Sequence, residues 1–319
     1  MGRWHAHAAR KLGARVAAVV DVDRTRAAAL AGRHGGCASF TRLEEALVAT
    51  PDATCVHVCT PPASHEPLAA AALAAGRHVL VEKPLAPDLA AARRLMAAAE
   101  AAGRLLCPVH QFLFQRGVLW AAALLPSFGP LRHFDMRVCS AGAEGHAGTT
   151  RDAIALEILP HALALAVRFC PAPITAGEWG LRRVAAGELQ VSGDVGGVSV
   201  AVRVSMAGRP PVNELRLIGE RGSVYADLFH GFAYAERGTT SRSWKIARPF
   251  VVAFRQAAAA TDNLGRRALG AEPAYPGLRE LVRRFYMAVE GKDASPIPAA
   301  ESLAVADVWD RLSAMARGS

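Results

Sequence analysis

Cys55-Val56-His57-Val58-Cys59-Thr60-Pro61-Pro62 and, past an alanine-rich stretch closed by Gly76, His78-Val79-Leu80-Val81-Glu82-Lys83-Pro84 are the two runs that decide the fold. Each begins as a short apolar run and stops at a proline-bearing turn, the pattern of a strand buried on both faces. Pro67 to Ala75 between them reads as a helix, which makes the unit strand, helix, strand. Toward the N-terminus, residues 15–21 form another β-branched run ending in Asp21. An alanine-rich helix follows over 24–34, and a second over Thr41 to Thr50 has Glu44 and Glu45 placed as in a capping box. Toward the C-terminus, a helix from Asp88 to Ala102 closed by Gly103 leads into Leu105 to Val109. Strands that alternate with helices in this way predict an α/β protein whose residues 1–110 form a doubly wound parallel sheet.

Residues 111–319 have a different texture. Polar and apolar residues alternate over 131–139, 189–206 and 214–228, the period of antiparallel strands with one wetted face. The second domain is therefore expected to be α/β with an open, mainly antiparallel sheet. Ala153 to Phe169 reads as one apolar helix interrupted by Glu157, Pro160, His161 and Arg168. The segment 248–276 shows weak periodicity and reads as an insertion or mobile cover. Gly277 to Glu290 and Ala300 to Met315 read as amphipathic helices that pack back on the first domain. One face of the antiparallel sheet is expected to be too apolar for water, which predicts a homo-oligomer, dimer or tetramer, through that face.

Composition narrows the function classes. The chain has 319 residues, 52% of them hydrophobic and 20% charged, enough for two packed domains and too apolar for disorder. Its net charge of +9 would attract anions. The arginines come in scattered ones and twos with no basic block interleaved with aromatics, so no nucleic-acid partner is expected. The six cysteines lack metal-ligand spacing, so no metal site is expected and reduced cytosolic thiols are. Cys55 and Cys59 are expected to pack as small hydrophobes on one strand face. No apolar run reaches the roughly 18 residues of a membrane span, and no apolar leader precedes the first strand, which predicts a cytoplasmic protein without a membrane partner.

The blocks Thr60-Pro61-Pro62-Ala63-Ser64-His65 and Gly76-Arg77-His78-Val79-Leu80-Val81-Glu82-Lys83-Pro84, in this order and spacing, resemble the Gfo/Idh/MocA family of oxidoreductases, as does the closing Ser295 to Leu303. The resemblance implies a Rossmann domain, a C-terminal domain with an open antiparallel sheet, and NAD or NADP as cofactor. It implies cofactor contacts from Thr60, Pro61, Pro62, His65, Glu82 and Lys83, with a cis peptide before Pro84 turning Lys83 into the cleft. Glu82-Lys83-Pro84 falls at the carboxyl end of a strand, where doubly wound sheets bind ligands, so the physical reading agrees.

The phosphate-binding end departs from that pattern. A dinucleotide fingerprint expects a first strand running into G-x-G-x-x-G. Here Met1-Gly2-Arg3-Trp4-His5 supplies only the second glycine, as Gly2; His5 stands at the third and the first strand is missing. A misassigned start that omits a short upstream segment is the expected cause, a degenerate site the alternative. Gly2, Arg3 and Trp4 are the candidate pyrophosphate residues. Asp21, about 20 residues past the glycine region, is the candidate for the adenosine ribose hydroxyls. It favours NAD over NADP, although Arg24 and Arg26 follow closely.

The family's second signature, an acid followed four residues later by a histidine, is matched by Glu157-Ile158-Leu159-Pro160-His161. A spacing of four puts two side chains on one helical face, while Pro160 demands a helix start or a kink. The candidate chemistry assigns His161 as the base for the hydroxyl proton, Glu157 as its orienting carboxylate, and Lys83 as the cation at the reacting oxygen. Gln111 and Arg151 are candidate substrate residues. The expected function is an NAD(P)-dependent dehydrogenase or reductase acting on a hydroxyl, keto or imine carbon of a sugar-like or secondary-metabolite substrate. A redox-neutral NAD-dependent glycosidase and a non-catalytic binding protein that has lost its dinucleotide site are the alternatives.

Overall fold

The computed structural model describes residues 1–238, 241–270, 272 and 274–318. Met1–His110 with Leu278–Ala306 form one compact unit, and Gln111–Gly277 with Asp307–Ser319 form a second.

The first unit runs α1 (Gly2–Lys11), β1 (Ala18–Val20), α2 (Arg24–Gly32), β2 (Ala38–Phe40), α3 (Leu43–Ala49), β3 (Cys55–Val58), α4 (His65–Ala74), β4 (His78–Val81), α5 (Leu89–Ala101) and β5 (Leu106–Pro108). All strand pairs are parallel, in two sheets ordered β1-β2 and β3-β4-β5. No strand among the described residues lies between β1 and β3, the place of the first strand in a doubly wound order. Val79, Leu80 and Val81 of β4 are wholly buried, as a central strand covered on both faces must be. Ala69, Ala72, Ala91, Ala92 and Ala99 let α4 and α5 lie close to the sheet. Asp88 caps α5 by accepting the Ala91 amide at 2.7 Å. The capping box at Thr41 is not formed: Arg42 holds the cap position of α3 and makes no side-chain capping bond.

The second unit continues α6 (Arg116–Leu124), β6 (Leu131–Cys139), α7 (Gly148–Leu156), α8 (Leu159–Phe169), β7 (Glu178–Ala185), β8 (Glu188–Val195), β9 (Val198–Ser205), β10 (Val212–Gly219), β11 (Gly222–Asp227), β12 (Phe232–Arg237) and α9 (Arg242–Leu269). The chain ends with α10 (Leu278–Val289) and α11 (Ala299–Gly318). One seven-stranded sheet has the order β12-β11-β10-β6-β9-β8-β7, antiparallel except for the parallel β6–β9 pair. Its inner face is apolar: Phe134, Met136, Val138, Val200, Val202, Val204, Leu215 and Leu217 are buried.

Three expectations are corrected here. The outer face of the sheet is polar, carrying His133, Arg137, Gln190, Ser192, Arg203 and Arg216, and is not the apolar face expected. The apolar stretch 153–169 is two helices, because Pro160 occupies the first turn of α8 and α7 has already stopped at Leu156. The segment 248–276 is mostly the regular helix α9, with Ala271 and Pro273 outside the described residues. No described helix is long and apolar enough to cross a membrane.

Candidate active site

In the first unit the candidate residues gather at the carboxyl ends of β3 and β4, and His65 holds the two ends together. Its ring nitrogens lie 2.7 Å from the Pro84 carbonyl and 2.8 Å from the Thr60 carbonyl, so one side chain bridges the Thr60-Pro61-Pro62 turn and the Glu82-Lys83-Pro84 turn. His65 is completely buried and acts on this backbone frame, while Thr60 and Pro61 are exposed. Ser64 Oγ tightens the first turn by donating to Thr60 Oγ1 and the Pro61 carbonyl. The Lys83–Pro84 peptide is cis, and Lys83 is half-buried.

Glu82 is buried and engaged by a residue that sequence reading left without a role. Its Oε1 lies 3.0 Å from His5 Nε2 and its Oε2 accepts the Lys83 amide at 3.3 Å. His5 Nδ1 in turn lies 3.0 Å from His57 Nδ1, and Tyr286 Oη lies 3.2 Å from His57 Nε2. A hydrogen-bonded chain therefore runs Glu82, His5, His57, Tyr286. Burial works against charge on the His5 ring, but the neighbouring Cys59 and Glu82 outweigh it and its pKa is pushed up to about 10. Burial alone would raise the Glu82 carboxyl; the hydrogen bond and charge of His5, with Lys83, hold it below its ordinary value. Burial and then the charge of His5 push His57 down to about 3. At the end of β5, burial and then the charge of Lys83 push His110 down to about 4, against the opposing pull of Glu82. The site thus couples one imidazolium and one carboxylate with two imidazoles held neutral, next to a lysine.

Sequence reading missed His57, Tyr286 and His110. A histidine inside the apolar run of β3 was a visible signal for His57. Tyr286 lies on α10, far along the chain, and gave none. Cys59, expected to be a plain small hydrophobe, sits beside His5.

The N-terminal end of α1 offers what a pyrophosphate needs. Gly2 opens the helix, and its Gly2 and Arg3 amides have no intrahelical acceptor, whereas the Trp4 amide donates to the Met1 carbonyl at 2.8 Å. A Cβ at Gly2 would meet only Leu30 Cδ2 at 3.9 Å and Cys59 Cβ at 4.0 Å, so the chain itself leaves room there. The Arg3 guanidinium lies over the Trp4 ring at 4.8 Å. At the end of β1, Asp21 Oδ1 accepts the Asp23 amide at 2.9 Å, which fixes the direction of its carboxylate. Asp23 caps α2 and pairs with Arg26 at 3.2 Å. These residues fit a dinucleotide, except that the buried ring of His5 fills the third glycine position.

In the second unit Glu157 and His161 are close in sequence but not on one helical face, which corrects the single-helix expectation. Glu157 is the C-cap of α7, and His161 lies in the first turns of α8 behind Pro160. The Leu156 carbonyl at the break accepts Trp309 Nε1 at 3.0 Å. His161 is only 7% exposed and stacks on Phe112, with centroids 4.3 Å apart and planes at 29°. Gln111, next to Phe112, is buried, and its Oε1 has no hydrogen-bond partner among the described residues. Gly277, at φ +87°, supports this turn: a Cβ there would lie 2.3 Å from the Gln111 carbonyl. Arg151 donates from Nε to the His146 carbonyl at 3.0 Å, and the adjacent Asp152 anchors α7 by accepting the Gly187 amide at 2.7 Å.

Residues 1–110 match the family described as an oxidoreductase family with an NAD-binding Rossmann fold. The 1,5-anhydro-D-fructose reductase of Ensifer adhaerens is 40% identical over 107 residues, 34% of this chain and 32% of the relative. An inositol 2-dehydrogenase of Corynebacterium glutamicum is 41% identical over 88 residues, 27% of this chain and 26% of the relative. The matched stretch thus spans a third or less of these curated relatives. Over the whole fold, the crystal structure of GenD2 from gentamicin A biosynthesis in complex with NAD aligns with a TM-score of 0.76 and 26% identity, covering 99% of this chain and 91% of that one. The WlbA dehydrogenase of Bordetella pertussis, in complex with NADH and UDP-GlcNAcA, aligns with a TM-score of 0.75 and 18% identity, covering 98% and 92%.

Proposed function

We propose that this chain, which belongs to the Gfo/Idh/MocA family of oxidoreductases with an NAD-binding Rossmann fold, is a dehydrogenase or reductase acting on a hydroxyl or keto carbon of a sugar-like substrate. The observation that carries the reading is the frame at the ends of β3 and β4, where buried His65 ties both motif turns together and Glu82 fixes the backbone from which Lys83 projects. A frame of that kind serves a reacting group better than a structural surface lysine.

When bound, the nicotinamide supplies the hydride acceptor or donor. The protein's part is to place charge and move one proton. The Lys83 ammonium donates a hydrogen bond to the substrate oxygen and stabilises the negative charge that develops there. His161 takes the hydroxyl proton during oxidation and returns it during reduction, a role suited to imidazole near neutral pH. Glu157, at the break before α8, orients His161 or a substrate hydroxyl. Buried Gln111, with a carbonyl oxygen to spare, accepts a hydrogen bond from the substrate, and Arg151 lies at the start of α7 as a second polar contact. Gly2, Arg3 and Trp4 hold the pyrophosphate, and Asp21 accepts from the ribose hydroxyls, so NAD is preferred over NADP. GenD2 and WlbA, crystallised with NAD and NADH, support that preference.

The test is titration of the purified chain with NADH and NADPH, followed by absorbance at the reduced-nicotinamide band with a panel of polyols and nucleotide sugars. Saturable binding tighter for NADH, with net NADH formation or consumption, is expected. Turnover with no net change in NADH would identify a redox-neutral glycosidase. Absence of binding by a folded chain would favour a non-catalytic role, a reading to which His5 at the third glycine position lends weight.

A further inference from the structure

His57 interrupts an apolar strand. Its neighbours Val56 and Val58 are aliphatic, and a leucine at 57 would complete β3 without the cost of desolvating an imidazole. The ring is instead held by its surroundings. It stands edge-on to His5, with centroids 5.3 Å apart and planes at 88°, and edge-on to buried Phe285 at 6.4 Å and 83°, while Tyr286 lies tilted against it at 5.8 Å. Both ring nitrogens are engaged, Nδ1 with His5 Nδ1 at 3.0 Å and Nε2 with Tyr286 Oη at 3.2 Å. An imidazole placed in this way has its tautomer decided by its neighbours.

The three hydrogen bonds from Glu82 to Tyr286 admit two proton orders. Glu82 is a carboxylate and can only accept, so His5 Nε2 carries a proton in both. In the first order His5 is an imidazolium whose Nδ1–H donates to His57 Nδ1. The neutral His57 ring then has its proton on Nε2 and donates to Tyr286 Oη, and the tyrosine hydroxyl donates away from the chain. In the second order His5 is neutral and the last two bonds run the other way: Tyr286 Oη–H donates to His57 Nε2, and His57 Nδ1–H donates to His5 Nδ1. The first order holds one proton more than the second. The groups around the chain favour it. Glu82 at the end of β4 and Cys59 at the end of β3 face His5 and outweigh its burial, with Lys83 beside Glu82. On the α10 side, burial and then Cys55 keep the Tyr286 hydroxyl protonated, so it meets His57 as a phenol and not as a phenolate.

We propose that His57 and Tyr286 are positioning residues for Lys83: accepting in series from the His5 imidazolium, they fix it as the charged partner of Glu82, whose carboxylate holds the Lys83 amide. This rests on the reading of Lys83 as the cation at the substrate oxygen, and it gives that lysine two supports, one on β3 and one on α10, that lie outside both motif turns. Without the His57 acceptor, the charged form of His5 would bury an N–H that has lost its partner, and its pKa would fall. Glu82 would then lose its cation at a lower pH than in the wild type, while near neutrality the pair would remain intact. A role in packing alone carries no such pH dependence.

One arm of the test needs no substrate. In a proton–nitrogen correlation spectrum of the imidazole rings of the isotope-labelled chain near neutral pH, His5 is expected with both ring nitrogens protonated and His57 as the Nε2–H tautomer. A neutral His5, or an Nδ1–H tautomer at His57, overturns the proposal. In the kinetic arm, kcat on the best substrate from the panel is compared with the wild type at about pH 6.5 and about pH 9.5, below and near the loss of the His5 charge. His57→Leu should lower it about fivefold at the higher pH and less than about twofold at the lower, since a hydrogen bond to a charged group is worth about one pKa unit or more. Tyr286→Phe should act in the same direction, by about threefold at the higher pH, and decides the matter if His57→Leu misfolds. His57→Gln, whose amide can also accept from His5 and donate to Tyr286, should recover most of the loss. A loss equal at both pH values, or no recovery with His57→Gln, would assign His57 to packing and overturn the proposal. If no substrate turns over, the dehydrogenase reading falls, and the proton order stands or falls by the spectrum.

Discussion

At the carboxyl ends of β3 and β4 the chain is held by hydrogen bonds between groups distant in sequence, whereas around His161 it is held by apolar contact. His65 bridges Thr60 and Pro84, and His5 reaches Glu82, so removing one side chain leaves buried polar groups without partners. His161 instead lies in a helix whose Leu159, Ala162, Leu163, Leu165 and Ala166 are buried, with Phe112 stacked on its ring. The polar frame is all-or-none and sensitive to pH, and a lysine that must keep a fixed direction suits it; the seat of His161 rests on packing instead.

The comparison can be broken in activity and in stability. Lys83→Met and His161→Asn should each lower kcat by about 10²–10⁴-fold, the usual range for losing a charge-stabilising donor or a general base. Steady-state kinetics on the best substrate from the panel would show this; a change in KM alone would remove both residues from the chemistry. His65→Ala should cost about 2–4 kcal/mol in urea unfolding, since it strands the buried Pro84 carbonyl, frees the Thr60 carbonyl and opens a cavity. Phe112→Ala, at a half-buried ring, should cost about 1–2 kcal/mol. If Phe112→Ala proved the more damaging, the contrast between polar frame and apolar seat would be reversed. Asp21→Ser should weaken NADH by about tenfold in Kd, a hydrogen bond to a charged acceptor being worth ~1.5 kcal/mol, with less effect on NADPH; equal loss for both would deny Asp21 its discriminating role.

The smallest expected effect is in the pH dependence of stability. His5 is charged in the folded protein up to about 10 against an ordinary value of 6.5, so its contribution is complete below pH 6.5 and is lost as pH rises toward 10. His57 and His110 are held neutral down to about 3 and about 4, so their contribution is present above pH 6.5 and is lost as pH falls. Glu82, held below its ordinary value, adds to the loss on the acid side. The thermal midpoint should therefore decline on both sides of neutrality. His5→Gln should flatten the alkaline limb and leave the acid limb in place; an unchanged alkaline limb would show that the His5–Glu82 pair contributes no pH-dependent stability.

Much of the first unit was legible because its signals are local. Gly76 and Gly103 close α4 and α5 at positive φ, and Asp88 caps α5, each within a few residues of the feature it fixes. The Thr41 capping box failed for the same reason, being a local signal that the chain did not use. The break before α8 was half legible: Pro160 announced a helix start, but the end of α7 at Leu156 depends on Trp309, far away in sequence. For α9 the period was weak because apolar residues lie on both sides of the helix: Val251 and Val252 are half-buried while Ile246, Phe250 and Phe254 are exposed.

By itself the sequence determined the alternation of strand and helix, the two motif turns, and the residue types available for hydride chemistry, because side-chain period and turn chemistry are written along the chain. Tertiary structure alone decided which groups share a charge and which surface stays bare. His5, His57, Glu82 and Tyr286 form one hydrogen-bonded chain only because β3, β4, α1 and α10 meet, and the phenylalanines of α9 face solvent only because its arginines and Asp262 find partners on β12 and α6. Electrostatic coupling and burial depend on distance in space, which sequence order does not contain.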